Sequence, residues 1–354
     1  MIYFRADANA EIASGHVMRC ITIALECKRR NNEVKFLIAD NEATILLENY
    51  GLEYIVLNSD WKNPITELDA MSNILNRQRD IVIIDSYLVT NEYIRKLNDL
   101  SHIVYIEDQF TGKKNVDLLI NYNVYHYIFD YYSIYANTNT KLLLGQQFTP
   151  LRTEFTDHND YTNNYNVKDI LLMCGGSDEK SFLLSFLNVA TKFLQYTFHV
   201  VLGIYNKDKQ CIKCKYAENN RIRLYENISN ISNLMCKCDL AVTAAGNSLY
   251  ELCEIGVPTI FFAYSDNQKY DCMGFNQKKM VRYAGNIDVG KKHLIQNIIK
   301  GEKNIMENIE ELSSNLNLRI EMSNNMKKFV DGYGTERIVD NIMEAYKYVN
   351  NTSA

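Results

Sequence analysis

No stretch of this 354-residue chain approaches the roughly 20 consecutive apolar residues of a membrane-spanning helix. A basic excess is missing too: 38 Lys and Arg stand against 43 Asp and Glu, a net charge of -5. The basic residues are scattered rather than gathered in a stripe, so no electrostatic footprint for nucleic acid is present. The N-terminus lacks the charged region, apolar run and cleavage site of a signal peptide; Ile2-Tyr3-Phe4 reads as a core strand followed by Arg5 and Asp7. A cytoplasmic protein without a membrane partner is expected. Nine cysteines, an odd number, make no disulfide framework, and Cys20, Cys27, Cys174 and Cys253 lie in apolar runs as reduced, buried thiols would. Low-complexity repeats are absent, and three prolines and a richness in Asn, Lys, Ile and Tyr carry no functional reading.

Two cysteine spacings invite a metal: Cys211-x-x-Cys214 and Cys236-x-Cys238 would supply four sulfurs. Cys236, however, falls near the end of an apolar helical segment and Cys238 just before a strand, so no metal is expected.

What the chain does have is alternation. Strand-like runs at Ile2–Phe4, Val34–Ala39, Tyr54–Leu57, Ile81–Asp85, Ile103–Ile106, Leu118–Asn121 and Leu142–Leu144 are interleaved with helical stretches at His16–Arg29, Asn41–Asn49, Ile65–Asn76 and Glu92–Leu100. The theme repeats at Ile170–Cys174, His199–Leu202, Ile222–Leu224, Leu240–Thr243 and Thr259–Tyr264, with helices at Lys180–Phe193, Ser232–Cys236 and Ser248–Ile255. Two successive βα arrays predict an α/β protein of two Rossmann-like, doubly wound parallel-sheet domains. The polar, Asn-rich segment Thr156–Asn166 marks the join, giving domains over 1–156 and 167–354. Tyr122–Thr140, rich in Tyr and Asn, reads as ordered connection. From Lys291 onward the chain is mostly helical and polar, ending in a helix over Thr335–Val349.

The chemistry-bearing residues fall at strand ends. Gly15-His16 stands where a polar loop after the first strand enters a helix with apolar positions Val17, Ile21, Ala24 and Leu25. In open α/β sheets the carboxyl ends of the strands form the ligand crevice, and histidine is the side chain suited to proton transfer near neutral pH. His16 could instead be a helix-start residue bonded to backbone. In the second half, Cys174-Gly175-Gly176-Ser177-Asp178 follows a strand directly; two glycines and a helix N-terminus suit a diphosphate, or Ser177 or Asp178 simply caps the helix. Ala245-Gly246-Asn247-Ser248-x-x-Glu251 repeats the arrangement. There Ser248 and Glu251 fit a capping box, or Glu251 accepts hydrogen bonds from a diol. Asp266-Asn267-Gln268 closes a third strand end.

Taken in order, these motifs resemble the nucleotide-sugar hydrolase family of pseudaminic acid biosynthesis. More distantly they resemble the spore-coat polysaccharide proteins and MurG-type glycosyltransferases. The residues that carry the likeness are Arg5-x-Asp7 with Gly15-His16-x-x-Arg19-Cys20; Asp85-Ser86-Tyr87; Glu107-Asp108; Gly145 through Leu151-Arg152-x-Glu154-Phe155; Gly175-Gly176-Ser177-Asp178; Ala245 through Glu251; Asp266-Asn267-Gln268; and Asp331-Gly332-x-Gly334-x-x-Arg337. The resemblance implies a GT-B-like fold with a cleft between the domains. It implies hydrolysis of a UDP-sugar, UDP-2,4-diacetamido-2,4,6-trideoxy-β-L-altropyranose, by water attack at the anomeric carbon with inversion, and no metal or organic cofactor. MurG-like transfer, or hydrolysis of a related UDP-diacetamido-sugar, is the alternative.

Carried over residue by residue, the resemblance makes His16 the general base, with Tyr87 beside it; Asp7, a candidate catalytic residue, either caps a turn or orients His16. Gly15, Arg19 and Arg152 are placed with the substrate. Gly175, Gly176 and Ser177 are placed on the pyrophosphate, Glu251 on the ribose, and the Glu226–Ile228 loop, with Ile228, along the uracil. Gly246, Asn247, Ser248, Asn267 and Gln268 are placed around the diphosphate and sugar. One departure stands out. Relatives often carry glycine where this chain has Ala13, and alanine resists the positive φ that glycine allows. Two lesser candidates are the acidic strand end Glu107-Asp108 and an Arg152–Glu154 ion pair near the join.

Overall fold

A computed structural model describes residues 1–156, 161–178, 180–228, 230–263, 268–287 and 305–351. The chain divides into two compact units, Met1–Arg152 with Tyr333–Ala354, and Thr153–Gly332.

The first unit runs β1 (Ile2–Ala6), α1 (Gly15–Arg29), β2 (Val34–Ile38), α2 (Thr44–Asn49), β3 (Tyr54–Val56), α3 (Leu68–Ser72), β4 (Ile81–Asp85), α4 (Asn91–Leu97), β5 (His102–Ile106), β6 (Leu118–Asn121), α5 (Tyr131–Tyr135) and β7 (Lys141–Leu144). These strands form one sheet in the order β3-β2-β1-β4-β5-β6-β7, with every pair parallel. All residues of β1 and β4 are buried, because strands covered by helices on both faces must be apolar along their whole length. Strand order reverses between β1 and β4, where Ala6 pairs with Asp85. That reversal opens the crevice at the carboxyl ends in which such sheets bind ligands.

The second unit runs β8 (Asp169–Met173), α6 (Phe182–Ala190), β9 (Thr197–Val201), α7 (Lys209–Tyr216), β10 (Ile222–Tyr225), α8 (Ser232–Met235), β11 (Leu240–Ala244), α9 (Ser248–Ile255), β12 (Thr259–Ala263), α10 (Lys269–Lys278), β13 (Arg282–Asn286), α11 (Ile305–Ser314) and α12 (Leu316–Lys327). Its parallel sheet has the order β10-β9-β8-β11-β12-β13, so the reversal falls between β8 and β11. The two glycine-bearing turns singled out in the sequence follow these two strands.

Helix α13 (Gly334–Asn351) corrects the expected assignment of the whole C-terminus to the second domain. It packs on α1 of the first unit. Arg30 pairs with Asp340, Thr335 Oγ1 donates to Leu151 O at 2.7 Å and Arg337 Nη1 to Gln147 O at 3.0 Å. The approach is so close that a Cβ on Gly334 would lie 2.1 Å from Thr149 O. An amphipathic helix declares that it will bury one face, but not against which sheet.

The expected helix over Ile65–Asn76 is shorter: a 3-10 turn at Pro64–Glu67 leads into α3, with Pro64 at its start and Glu67 fully buried. Helix α7 went unanticipated because only Ile212 and Tyr216 of its eight residues are buried, too few for a periodic signal. Strand β13, RYAGN, is half-exposed at the sheet edge. Part of the join, residues 157–160, lies outside the described residues, as do Asp266 and Asn267.

Candidate active site

The loop from β1 delivers His16 to the first turn of α1, and β4 ends in Asp85 directly alongside. His16 Nδ1 lies 2.6 Å from Asp85 Oδ1. Burial raises the carboxyl of Asp85, but the charge of Arg19 and then that of His16 outweigh it and hold the group down at about 2. An ionised carboxylate only accepts, so Nδ1 carries a hydrogen, and it is the neutral form of the ring that would present a lone pair on Nε2. Among the described residues Nε2 has no hydrogen-bond partner. The Tyr87 ring stands edge-on to the imidazole, with centroids 4.4 Å apart. Ala13, in the same loop, holds φ at 57°, a conformation that favours glycine, and it bridges back to Asn9. A Cβ added to Gly15 meets nothing within 4 Å.

Two expected roles change. Asp7 does not orient His16: its carboxylate accepts from Arg5 Nη1 at 2.5 Å and from the Ala39 N–H at 2.8 Å. Asp85, 69 residues from His16 in the chain, takes that place. Arg19 is not laid out for phosphate, because its guanidinium is buried between Asp85 and Asp108. Arg152 is half-buried, with Nη1 3.4 Å from Tyr50 Oη.

Glu107, just after β5, is fully buried; Oε2 accepts from Tyr131 Oη at 2.5 Å, and among the described residues Oε1 has no partner within hydrogen-bond geometry. Burial pushes its carboxyl up to about 7. Raised above the unfolded value of about 4.5, it supports the fold fully below that pH and withdraws support as pH climbs to about 7, by up to ~3 kcal/mol. Glu107→Gln is therefore expected to unfold at higher urea than wild type at pH 8 and at the same urea at pH 4. An unchanged midpoint at pH 8 would show the carboxyl ionising without penalty.

In the second unit, Gly175 has φ of 64° and the 175–177 turn packs beneath the end of β9. A Cβ on Gly203 would lie 2.3 Å from Gly176 O, a close approach that no motif announces. The first free N–H groups of α6 are not available to an anion. Asp178 Oδ1 and Oδ2 accept from Phe182 N at 2.8 Å and Leu183 N at 3.0 Å. A diphosphate at Gly175, Gly176 and Ser177 would therefore meet the turn's own backbone, not the helix end.

The second turn differs. Helix α9 begins after Asn247 with no side-chain cap, and the Ser248–Glu251 capping box does not form as such, since both residues lie inside the helix. Gly246 has φ of 147°, and a Cβ there would meet open space. Asn247, Ser248 and Glu251 are half-buried. Gln268 Nε2 donates to Ala245 O at 2.7 Å, fixing that amide at the same turn. Ile228 is half-buried beyond β10, after Glu226, which pairs with Lys213 of α7 at 2.9 Å. A cavity of about 420 Å³, lined by residues such as Thr197, Phe198, Arg221 and Ile222, lies at the strands' amino ends, away from the ligand end of such a sheet.

His199 also has an acid partner, Asp169, at 2.7 Å, but its other nitrogen meets Tyr225 Oη at 2.9 Å, which leaves no free edge. Cys211 and Cys214 are exposed on α7, and Cys238 is buried. Among the described residues no group of three His, Cys, Asp or Glu side chains is arranged to hold a metal. No described helix is long and apolar enough to cross a membrane.

Residues 170–336 match the Glycosyltransferase family 28 C-terminal domain. The spore coat polysaccharide biosynthesis protein SpsG of Bacillus subtilis is 22% identical over 349 residues, 97% of each chain. The UDP-2,4-diacetamido-2,4,6-trideoxy-beta-L-altropyranose hydrolase of Campylobacter jejuni is 23% identical over 278 residues, 76% of this chain and 93% of that one. An uncharacterized Methanocaldococcus jannaschii protein is 25% identical over 286 residues; the match takes in 77% of this chain and 57% of that longer relative. Among solved structures, Acinetobacter baumannii MurG superposes with a TM-score of 0.62 at 15% identity, covering 97% of this chain and 99% of its own. The fold is thus GT-B, two Rossmann-like parallel-sheet domains, as the strand orders require.

Proposed function

We propose that this protein is a UDP-sugar hydrolase and that His16 is its general base. The observation that carries the reading is the His16–Asp85 pair: an imidazole whose Nδ1–H is held by an ionised carboxylate, presenting Nε2 as proton acceptor at the carboxyl ends of β1 and β4. In the reaction a water oxygen attacks the anomeric carbon on the face opposite the diphosphate. Its proton passes to Nε2, and the bond to the diphosphate oxygen breaks with its electron pair leaving on UDP. The configuration inverts, as in glycoside hydrolysis where a base activates water on the far face of the ring.

The nucleotide belongs on the second unit. The start of α9 has no side-chain cap; the Leu249 and Tyr250 N–H groups turn back to Gly246 O and Asn247 O, so phosphate would meet the Ser248 N–H and the helix's partial positive charge, with Gly246 and Asn247 at the turn and Gln268 beside it. Glu251 serves the ribose and Ile228 the uracil face; Asn267 keeps its place in the proposal from the sequence. The likeness to the Campylobacter hydrolase favours a 2,4-diacetamido-2,4,6-trideoxy sugar as the carbohydrate.

The match to the family 28 C-terminal domain favours a second reading, transfer of the sugar to an acceptor hydroxyl with the same histidine taking the proton. NMR of the UDP-sugar with the protein and no acceptor separates the two. Stoichiometric UDP and free sugar of inverted configuration, at enzymatic rates, establish the hydrolase. An intact UDP-sugar that turns over only when an acceptor is added establishes the transferase.

A further inference from the structure

One guanidinium holds two carboxylates beside His16. Arg19, one helical turn further along α1, reaches Asp85 through Nε and Nη2, the latter 2.5 Å from Oδ1. It reaches Asp108 through Nη1 and Nη2, each 2.7 Å from an oxygen. Nη1 also donates to Tyr122 Oη at 2.8 Å. Each carboxylate leads back to the imidazole by its own route. Asp85 accepts Nδ1–H directly. Asp108 accepts from Tyr87 Oη at 3.2 Å, and the Tyr87 ring flanks His16. Asp108 is itself pinned, by Asn123 Nδ2 at 3.3 Å and, through its carbonyl, by Tyr125 Oη at 2.6 Å.

Of the other titratable groups around this cluster, Glu107, next to Asp108 in the chain and raised to about 7, gives its carboxyl to Tyr131 rather than to Arg19 or His16, and the rest carry no charge in the working range. Burial pushes up the Cys20 thiol and the hydroxyls of Tyr105 and Tyr122. The charges that face His16 are therefore those of Asp85 and Asp108, one on each side, and that of Arg19 between them. With a neutral imidazole the cluster sums to one negative charge, and with an imidazolium to zero.

We propose that Arg19 and Asp108 are positioning residues for His16: Arg19 cancels one of the two carboxylate charges on the imidazole, and Asp108 fixes the Tyr87 ring that sets its orientation. The inference rests on the general-base reading for its catalytic consequence, but its electrostatic content stands in the resting protein. Arg19 is buried and Asp108 nearly so, each bonded on the protein side.

The test uses charge changes of opposite sign. Arg19→Met removes the cation and is expected to move the acidic limb of kcat to higher pH by about one unit. Asp108→Asn removes an anion and is expected to move it to lower pH by about as much. Arg19→Lys keeps the charge without the fork, so the limb stays in place while kcat falls. KM is expected to stay within about twofold throughout, as a positioning role requires. ¹⁵N NMR titration of the His16 ring in the free proteins should show the same displacements without any substrate. Displacements of one sign for both charge changes, no displacement in folded Arg19→Met or Asp108→Asn, or a raised KM with kcat intact would each overturn the proposal. Should Arg19→Met not fold, Asp108→Asn decides the sign, with Arg19→Lys as the charge-preserving control. NMR displacements as expected, in a protein that leaves UDP-sugars intact, would sink the hydrolase reading and leave the positioning roles standing.

Discussion

His16→Ala is expected to lose about 10²- to 10⁴-fold in kcat and to bind UDP as wild type does, because a positioned base contributes on that order to the rate. The substitution removes only the proton acceptor. Asp85 keeps its bonds to Arg19, and Arg19 keeps Asp108, so no buried charge loses its last partner. In the proposed reading, leaving-group stabilisation falls to the turn before α9 in the second unit, which the substitution does not alter. The residual rate is then that of water attacking a sugar whose diphosphate is still held. NMR turnover together with calorimetric UDP affinity reads both halves. Near-normal turnover removes His16 from the mechanism, and a UDP affinity that collapses with kcat makes it a binding residue.

The site was legible as far as chemistry follows chain order. Gly15-His16 after a strand, and the glycine turns after the strands at 170 and 240, stand out in one dimension because strand, turn and helix start are consecutive. Asp85 also appeared in the sequence, in Asp85-Ser86-Tyr87, but nothing there says that it faces residue 16. That follows from the strand order, which lays β4 beside β1 with Ala6 opposite Asp85. Asp7 was the nearer acid by number and the wrong one in space. The cap at α6 illustrates the same limit. Asp178 could have been a phosphate-site residue or a cap, and only the two short bonds to Phe182 N and Leu183 N decide for the cap. The α/β class was readable throughout because parallel strands buried on both faces leave unbroken apolar runs. The place of α13 was not, since its partner α1 is more than 300 residues away in sequence.

The acid that Asp7 was expected to be for His16 belongs to a second buried network. Truncating that network is expected to cost more stability than any other change considered. Arg5 is 3% exposed on β1, and it forks onto Glu67 with Nε 2.8 Å and Nη2 2.7 Å from the two oxygens. Its Nη1 binds Asp7, and Tyr93 Oη donates to Glu67 at 2.6 Å. Glu67→Ala leaves a guanidinium buried with one partner lost and Tyr93 without its acceptor. Breaking a buried pair from one side costs about 3–5 kcal/mol. For a domain of ~150–250 residues, that lowers Tm by roughly 6–20 °C. Arg5→Met with Glu67→Met should recover most of the loss, since an apolar pair removes both desolvation penalties together. Recovery stays incomplete because Asp7, whose other oxygen holds the Ala39 N–H, still loses its cation. Thermal unfolding of the two single variants and the double one measures the coupling. A double variant as unstable as the sum of its parts would mean that Arg5 and Glu67 stabilise the first unit independently, and that the loop leading to His16 is not anchored through them.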